Sequence, residues 1–125
     1  MATKITNKLL KDLYSKDRNV RRAAAEHPNA TPEVLLVALK HKDESVRIHA
    51  AKNPNATPEV LLIALKDECK YVRYCAAWNP NANPEVLLLV LKDKDEYVRN
   101  AAKEAMKENP FLSLQVAALQ GKTTS

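Results

Sequence analysis

The chain has 125 residues, a formal net charge of +5 and a single glycine, Gly121. One glycine excludes glycine-rich phosphate loops, dinucleotide fingerprints and most tight β-turn architectures. Few aromatics and abundant Ala, Leu, Val and Lys favour helices, in a chain long enough for one domain with its own core.

Three near-identical decapeptides punctuate the sequence: HPNATPEVLL from His27, NPNATPEVLL from Asn53 and NPNANPEVLL from Asn79, each 26 residues after the last. Val-Arg pairs at 20–21, 46–47, 72–73 and 98–99 keep the same register. So do the alanine pairs at 24–25, 50–51 and 76–77. A period of this size is the signature of stacked supersecondary units.

In chain order, the first expected element is a capping helix over residues 5–16. Ile5 to Asp17 aligns without a gap on Thr31 to Asp43, with Lys8, Lys11 and Asp12 standing where Val34, Val37 and Ala38 stand. The face that would meet a preceding unit is therefore polar. Repeats are expected at about 17–42, 43–68 and 69–94. In each, a first helix starts after Asp17, Asp43 or Cys69, the cysteine being the poorest cap. It stops at His27-Pro28, Asn53-Pro54 or Asn79-Pro80, because a residue before proline avoids helical angles. A short Pro-Asn-Ala turn leads to a second helix capped by Thr31, Thr57 or Asn83. Its opening Pro-Glu suits the first turn and the positive end of the helix dipole.

The second helix of the middle repeat should run from about Pro58 to Lys66. It is apolar almost all round, with Glu59 and Lys66 as its only wet edge. Helices this short are not stable alone, so burial against neighbours must hold them. A C-terminal capping repeat, 95–120, starts after Asp95. There Ala105-Met106 replaces Asn79-Pro80, so its first helix should continue to about Glu108. Asn109-Pro110 then opens a closing helix that Gly121 ends, leaving 121–125 as a loose tail. The chain reads as one domain, 1–125, complete at both ends and all-α.

Val-Arg, two residues, Ala-Ala, one residue, Asn-Pro-Asn-Ala-Thr-Pro-Glu, then spaced leucines and Asp resembles the leucine-rich repeat variant family, a relative of HEAT repeats. The resemblance covers residues 5 to about 119. It implies a right-handed α-solenoid of two-helix units, α-helix alternating with 3₁₀-helix. The usual unit of that family is slightly shorter than 26 residues, which leaves the second helix here either α or 3₁₀. An N-terminal cysteine cluster holding iron and sulfur occurs in the family. No cysteine precedes Cys69, so that cofactor is not expected, nor is any other.

Cys69 and Cys75 form neither a CxxC nor a zinc pattern and read as free thiols, with Cys75 a small core filler. His27, His41 and His49 occupy three different repeat positions. Cys75 and His49 hold equivalent positions, and adjoining layers lie roughly 8–10 Å apart, too far for a hydrogen-bonded pair. With no convergent constellation, no enzymatic activity is expected.

The recurring arginines Arg21, Arg47, Arg73 and Arg99 read as a structural ladder that bonds carboxylates or helix-end carbonyls between layers. The positions that differ between units are more informative. The exposed triplet of the first helix reads Asn19/Arg22/Glu26, Ser45/Ile48/Lys52, Tyr71/Tyr74/Trp78 and Tyr97/Asn100/Glu104. Tyr71, Tyr74 and Trp78, flanked by Tyr97 and Ile48, form an aromatic stripe of the kind that marks binding hot spots. The expected function is therefore a protein-interaction scaffold with another protein, or a second copy, on this stripe.

Charge suggests an alternative. Residues 1–22 carry seven bases against Asp12 and Asp17, and the rest of the chain is neutral. Lys8, Lys11, Arg18 and Arg22 are thus candidates for binding nucleic acid or an acidic partner. The N-terminal MATKITNKLL lacks a signal-peptide core and no stretch reaches membrane-span length, so a soluble cytoplasmic protein is expected.

Overall fold

A computed structural model describes residues 3–124, with side chains through Gly121; Ser125, the last residue of the expected tail, lies outside them. The described residues are all-α. They form α1 (Lys4–Asp12), α2 (Arg18–Glu26), α3 (Pro32–Leu39), α4 (Glu44–Lys52), α5 (Pro58–Ala64), α6 (Lys70–Trp78), α7 (Pro84–Val90), α8 (Glu96–Glu108) and α9 (Pro110–Thr124). Successive even-numbered helices pack on one another, as do successive odd-numbered ones, and each helix also packs on its chain neighbour. No 3₁₀ helix occurs among the described residues.

The helix starts follow local chemistry. Asp17, Asp43 and Asp95 accept from the backbone N–H of Asn19, Ser45 and Tyr97 at 2.8, 2.9 and 2.8 Å. Cys69 makes no such bond at the head of α6. Thr31, Thr57 and Asn83 cap α3, α5 and α7 through the N–H of Val34, Val60 and Val86. α8 continues to Glu108 because Met106 can donate where Pro80 cannot.

Three boundaries differ from the sequence expectation. α1 stops at Asp12 and α5 at Ala64, short of 16 and 66. At both ends the backbone switches to acceptors three residues back: Tyr14 and Ser15 N–H bond Lys11 and Asp12, and Lys66 and Asp67 N–H bond Ile63 and Ala64. Such bonds tighten the last turn and end the α-helix, and the carbonyls just beyond, of Ser15, Lys16, Asp67 and Glu68, are taken by Arg21 and Arg73. At the other end α9 runs through Gly121 to Thr124 instead of ending there. Gly121 does not adopt the positive φ by which glycine stops a helix.

The core repeats residue by residue. Leu9, Leu35, Leu61 and Leu87 are buried, with Val46, Val72 and Val98, and alanines at 24, 50, 76 and 102 allow close helix approach. The odd-numbered helices are less enclosed than their composition suggests. Ile63 and Leu89, equivalent positions of α5 and α7, are 44% and 47% exposed. The wet edge is wider than Glu59 and Lys66 because these helices present one side to solvent.

Two asparagine series tie the turns together. Asn53 Nδ2 donates to the carbonyls of Ala25 and His27 at 2.8 and 3.1 Å. Asn79 Nδ2 does the same to Ala51 and Asn53 at 2.8 and 2.9 Å. Both side chains are buried. Asn55 and Asn81 repeat the pattern nearer the surface, donating to Pro28 and Ala30 and to Pro54 and Ala56. His27 stands where Asn53 and Asn79 stand but has no side-chain amide with which to donate in the same way. Its Nδ1 retains only the acceptor role, toward Asn29 N–H, that Asn53 Oδ1 plays toward Asn55 N–H. The bonds to Ala25 and Ala51 satisfy buried carbonyls at helix ends whose own i+4 N–H groups, from Asn29 and Asn55, are bonded elsewhere.

Candidate interaction surface

Tyr71 and Trp78 on α6 and Tyr97 on α8 are exposed by 48%, 36% and 45%. Val72, Ala76 and Ala77 take the buried face of α6, which leaves positions 71, 74 and 78 on its outer side. Tyr74 is half-buried and stacks on Tyr97, with ring centroids 4.3 Å apart and planes 12° from parallel. Tyr71 meets Tyr97 edge-on at 6.2 Å. The three tyrosines therefore form one cluster spanning two helices. Ile48 is half-buried and packs against the core, so it contributes little outer surface.

A cation completes the cluster. Lys70 Nζ lies 5.5 Å from the Tyr71 ring centre and 5.9 Å from that of Tyr97, within the range of cation–π attraction. It also sits 4.0 Å from Asp95. The Tyr97 hydroxyl is held above its ordinary pKa, first by the Tyr74 phenol beside it and then by partial burial. The Tyr97 phenol therefore stays neutral at physiological pH, and the patch offers rings, hydroxyls and one ammonium.

Trp78 and Tyr74 also wall an open groove of about 300 Å³ with Lys52, Cys75, Asn79 and Pro80. Burial raises the Cys75 thiol above its ordinary pKa, which keeps it protonated and a weak nucleophile. A second groove of about 230 Å³, one helix earlier, is lined by Glu26, His49, Lys52, Asn53 and Pro54. His49 faces Glu26 at 3.4 Å through Nε2 and the Ser45 carbonyl at 2.7 Å through Nδ1. It has no bond to Cys75. Among the described residues no cluster of His, Cys, Asp and Glu is arranged to hold a metal ion.

The basic N-terminal residues are largely engaged. Lys8 pairs with Asp12 at 2.7 Å, Arg18 approaches Asp43 at 3.8 Å and Arg22 approaches Glu26 at 3.6 Å. Lys11 has no acidic partner within ion-pair distance among the described residues. The structure thus spreads these charges over three local pairs and does not gather them into one site.

The arginine series is turned inward. Arg47 Nε meets Asp67 and Arg73 Nε meets Asp93, both at 2.9 Å. Arg99 Nη1 takes the Asp93 carbonyl. Arg21 departs from this pattern. His41 stands at the position of Asp67 and Asp93, so Arg21 Nη2 reaches Asp43 at 2.9 Å and its buried Nε has no acceptor. That guanidinium is the main reason the Asp43 carboxyl lies below its ordinary pKa.

The sequence reading missed Lys70 and the asparagine donors. The Lys-Tyr pair at 70–71 and the Asn-Pro-Asn at 53–55 and 79–81 were the visible signals; the first went unread and the second was read only as a helix stop. No helix among the described residues is long and apolar enough to cross a membrane. Comparison with protein-family models and with curated proteins returns no match to this chain.

Proposed function

We propose that the protein is a non-enzymatic interaction module: a right-handed α-solenoid of 26-residue, two-helix units, similar to the leucine-rich repeat variant family, whose α6–α8 face docks another protein. One observation carries this reading. Three large aromatic residues, Tyr71, Trp78 and Tyr97, are exposed on adjacent helices whose equivalent positions elsewhere are mostly polar. Solvent favours polar residues at such sites, and clustered tyrosine and tryptophan supply contact area at low entropic cost. The nucleic-acid alternative draws less support, because three of its four basic residues already face carboxylates.

Affinity capture with wild type and a Tyr71→Ala/Trp78→Ala variant tests the proposal. The variant should lose the captured partner while keeping the wild-type far-UV CD spectrum. Unchanged capture by a folded variant would refute it. Light scattering after size exclusion separates a second copy from a foreign partner: self-association on this face would disappear in the same variant.

A further inference from the structure

The two grooves beside Lys52 are equivalent places in the fold with opposite electrostatic states. In the groove between α2 and α4, the Glu26 carboxylate lies 3.4 Å from His49 Nε2 and 3.6 Å from Arg22 Nε. The chain supplies its own anion there and closes the seam. One helix further, between α4 and α6, Lys52 stands at the position of Glu26 and Cys75 at that of His49. The acid has become an ammonium, its basic partner has become a neutral thiol, and Trp78 occupies the rim. Lys52 is exposed, and among the described residues no carboxylate lies within ion-pair distance of it and no other charged residue lines that groove.

We infer that the α4–α6 groove receives an acidic side chain, Glu or Asp, from an extended segment of a partner protein. The carboxylate pairs with Lys52, and an adjacent apolar side chain lies against Trp78 and Pro80. Charge complementarity identifies the occupant: a lone ammonium beside an apolar wall matches one carboxylate next to one hydrophobic side chain. Two features select a side chain over a chain terminus. Lys52 lines both this groove and its neighbour, so an extended segment that meets Lys52 has a second groove beside it along its path. A terminal carboxylate would also need convergent backbone N–H donors, whereas Pro80 has none and Asn79 N–H is already given to the Ala76 carbonyl. The inference rests on the interaction-module reading and adds to it the chemistry of the partner.

The test uses the ¹⁵N-labelled full chain and blocked peptides with one leucine and one glutamate, separated by zero, one or two glycines, with glutamine counterparts. Trp78 is the only tryptophan, so a single indole N–H resonance reports on the groove. At low salt, the best glutamate peptide should shift that resonance and the Lys52 amide, and should bind about threefold more tightly than its glutamine counterpart, the size expected for a partly exposed ion pair. Lys52→Ala should erase the difference, and Lys52→Glu should invert it. Equal binding of the two peptides, or no shift at saturating solubility, overturns the inference. The capture assay separates it from the broader proposal. A partner lost by Tyr71→Ala/Trp78→Ala but retained by Lys52→Glu leaves the aromatic face in place and eliminates the acidic occupant. A partner retained by both variants eliminates the face itself.

Discussion

Replacing Asn79 with alanine removes three hydrogen bonds from a side chain that is only 5% exposed: the donations to the Ala51 and Asn53 carbonyls and the acceptance from Asn81 N–H. The three losses are unequal. The Asn53 carbonyl keeps the Ala56 N–H at 3.0 Å, and Asn81 lies where water can replace its lost acceptor. The Ala51 carbonyl is the costly one. Ala51 is fully buried at the end of α4, and the N–H that a continuing helix would offer it, from Asn55, is bonded to the Asn53 side chain. A buried orphan carbonyl costs about 2 kcal/mol, and the two replaceable bonds add about 0.5 kcal/mol each. The sum is about 3 kcal/mol, or a fall of about 12 °C in Tm for a domain of this size. His27→Ala is the internal reference, since His27 holds the equivalent position but among the described residues its side chain makes only the bond to Asn29 N–H, and should cost about 0.5 kcal/mol. Urea unfolding followed by far-UV CD measures both. If the two variants lie within about 1 kcal/mol of each other, backward donation is not what position 79 contributes, and the reasoning fails.

Three further substitutions probe the departures from the common pattern. His41→Asp should give the buried Arg21 Nε the acceptor that Asp67 and Asp93 give Arg47 and Arg73, raising unfolding stability by about 1 kcal/mol; a loss would show that the Tyr14–His41 ring contact matters more. Cys69→Asp supplies the side-chain cap that α6 lacks and should stabilise by about 1 kcal/mol in the same urea assay, whereas no gain would mean the thiol's packing outweighs a cap. The Asp43 carboxyl titrates lower folded than unfolded, so its contribution is present at neutral pH and is lost as pH falls from about 3.8 through the folded value. Asp43→Asn, which can still cap α4, should flatten the acid limb of the stability–pH curve. An unchanged limb would remove Arg21–Asp43 as its source.

Much of the architecture was legible because capping and proline chemistry act within three or four residues. Asp17, Thr57 and Pro80 announce helix ends through bonds made or forbidden locally, and Met106 announces a continuation the same way. Periodicity likewise exposed the buried Leu9, Leu35, Leu61 and Leu87. What stayed hidden depends on partners about 20 to 28 residues away. Asn53 and Asn79 look like ordinary helix stops until the carbonyls of the preceding turn are placed beside them. Ile63 and Leu89 look like core until it is clear that α5 and α7 have one open side. At the candidate surface, the i, i+3, i+7 spacing picked out Tyr71, Tyr74 and Trp78. It could not show that Tyr74 lies flat on Tyr97, that Lys70 hangs over two rings, or that Ile48 turns toward the core. Those are properties of neighbouring helices, not of one.

Every donation in the asparagine series points the same way, toward the N-terminus. A turn is thus read by its successor and never by its predecessor, which gives the fold a grammar of suffixes. Excising residues 53–78 would join Lys52 to Asn79 and bring that amide to the carbonyls Asn53 now serves, leaving a shorter molecule with no orphaned group at the splice. A cut two residues longer or shorter would strand them.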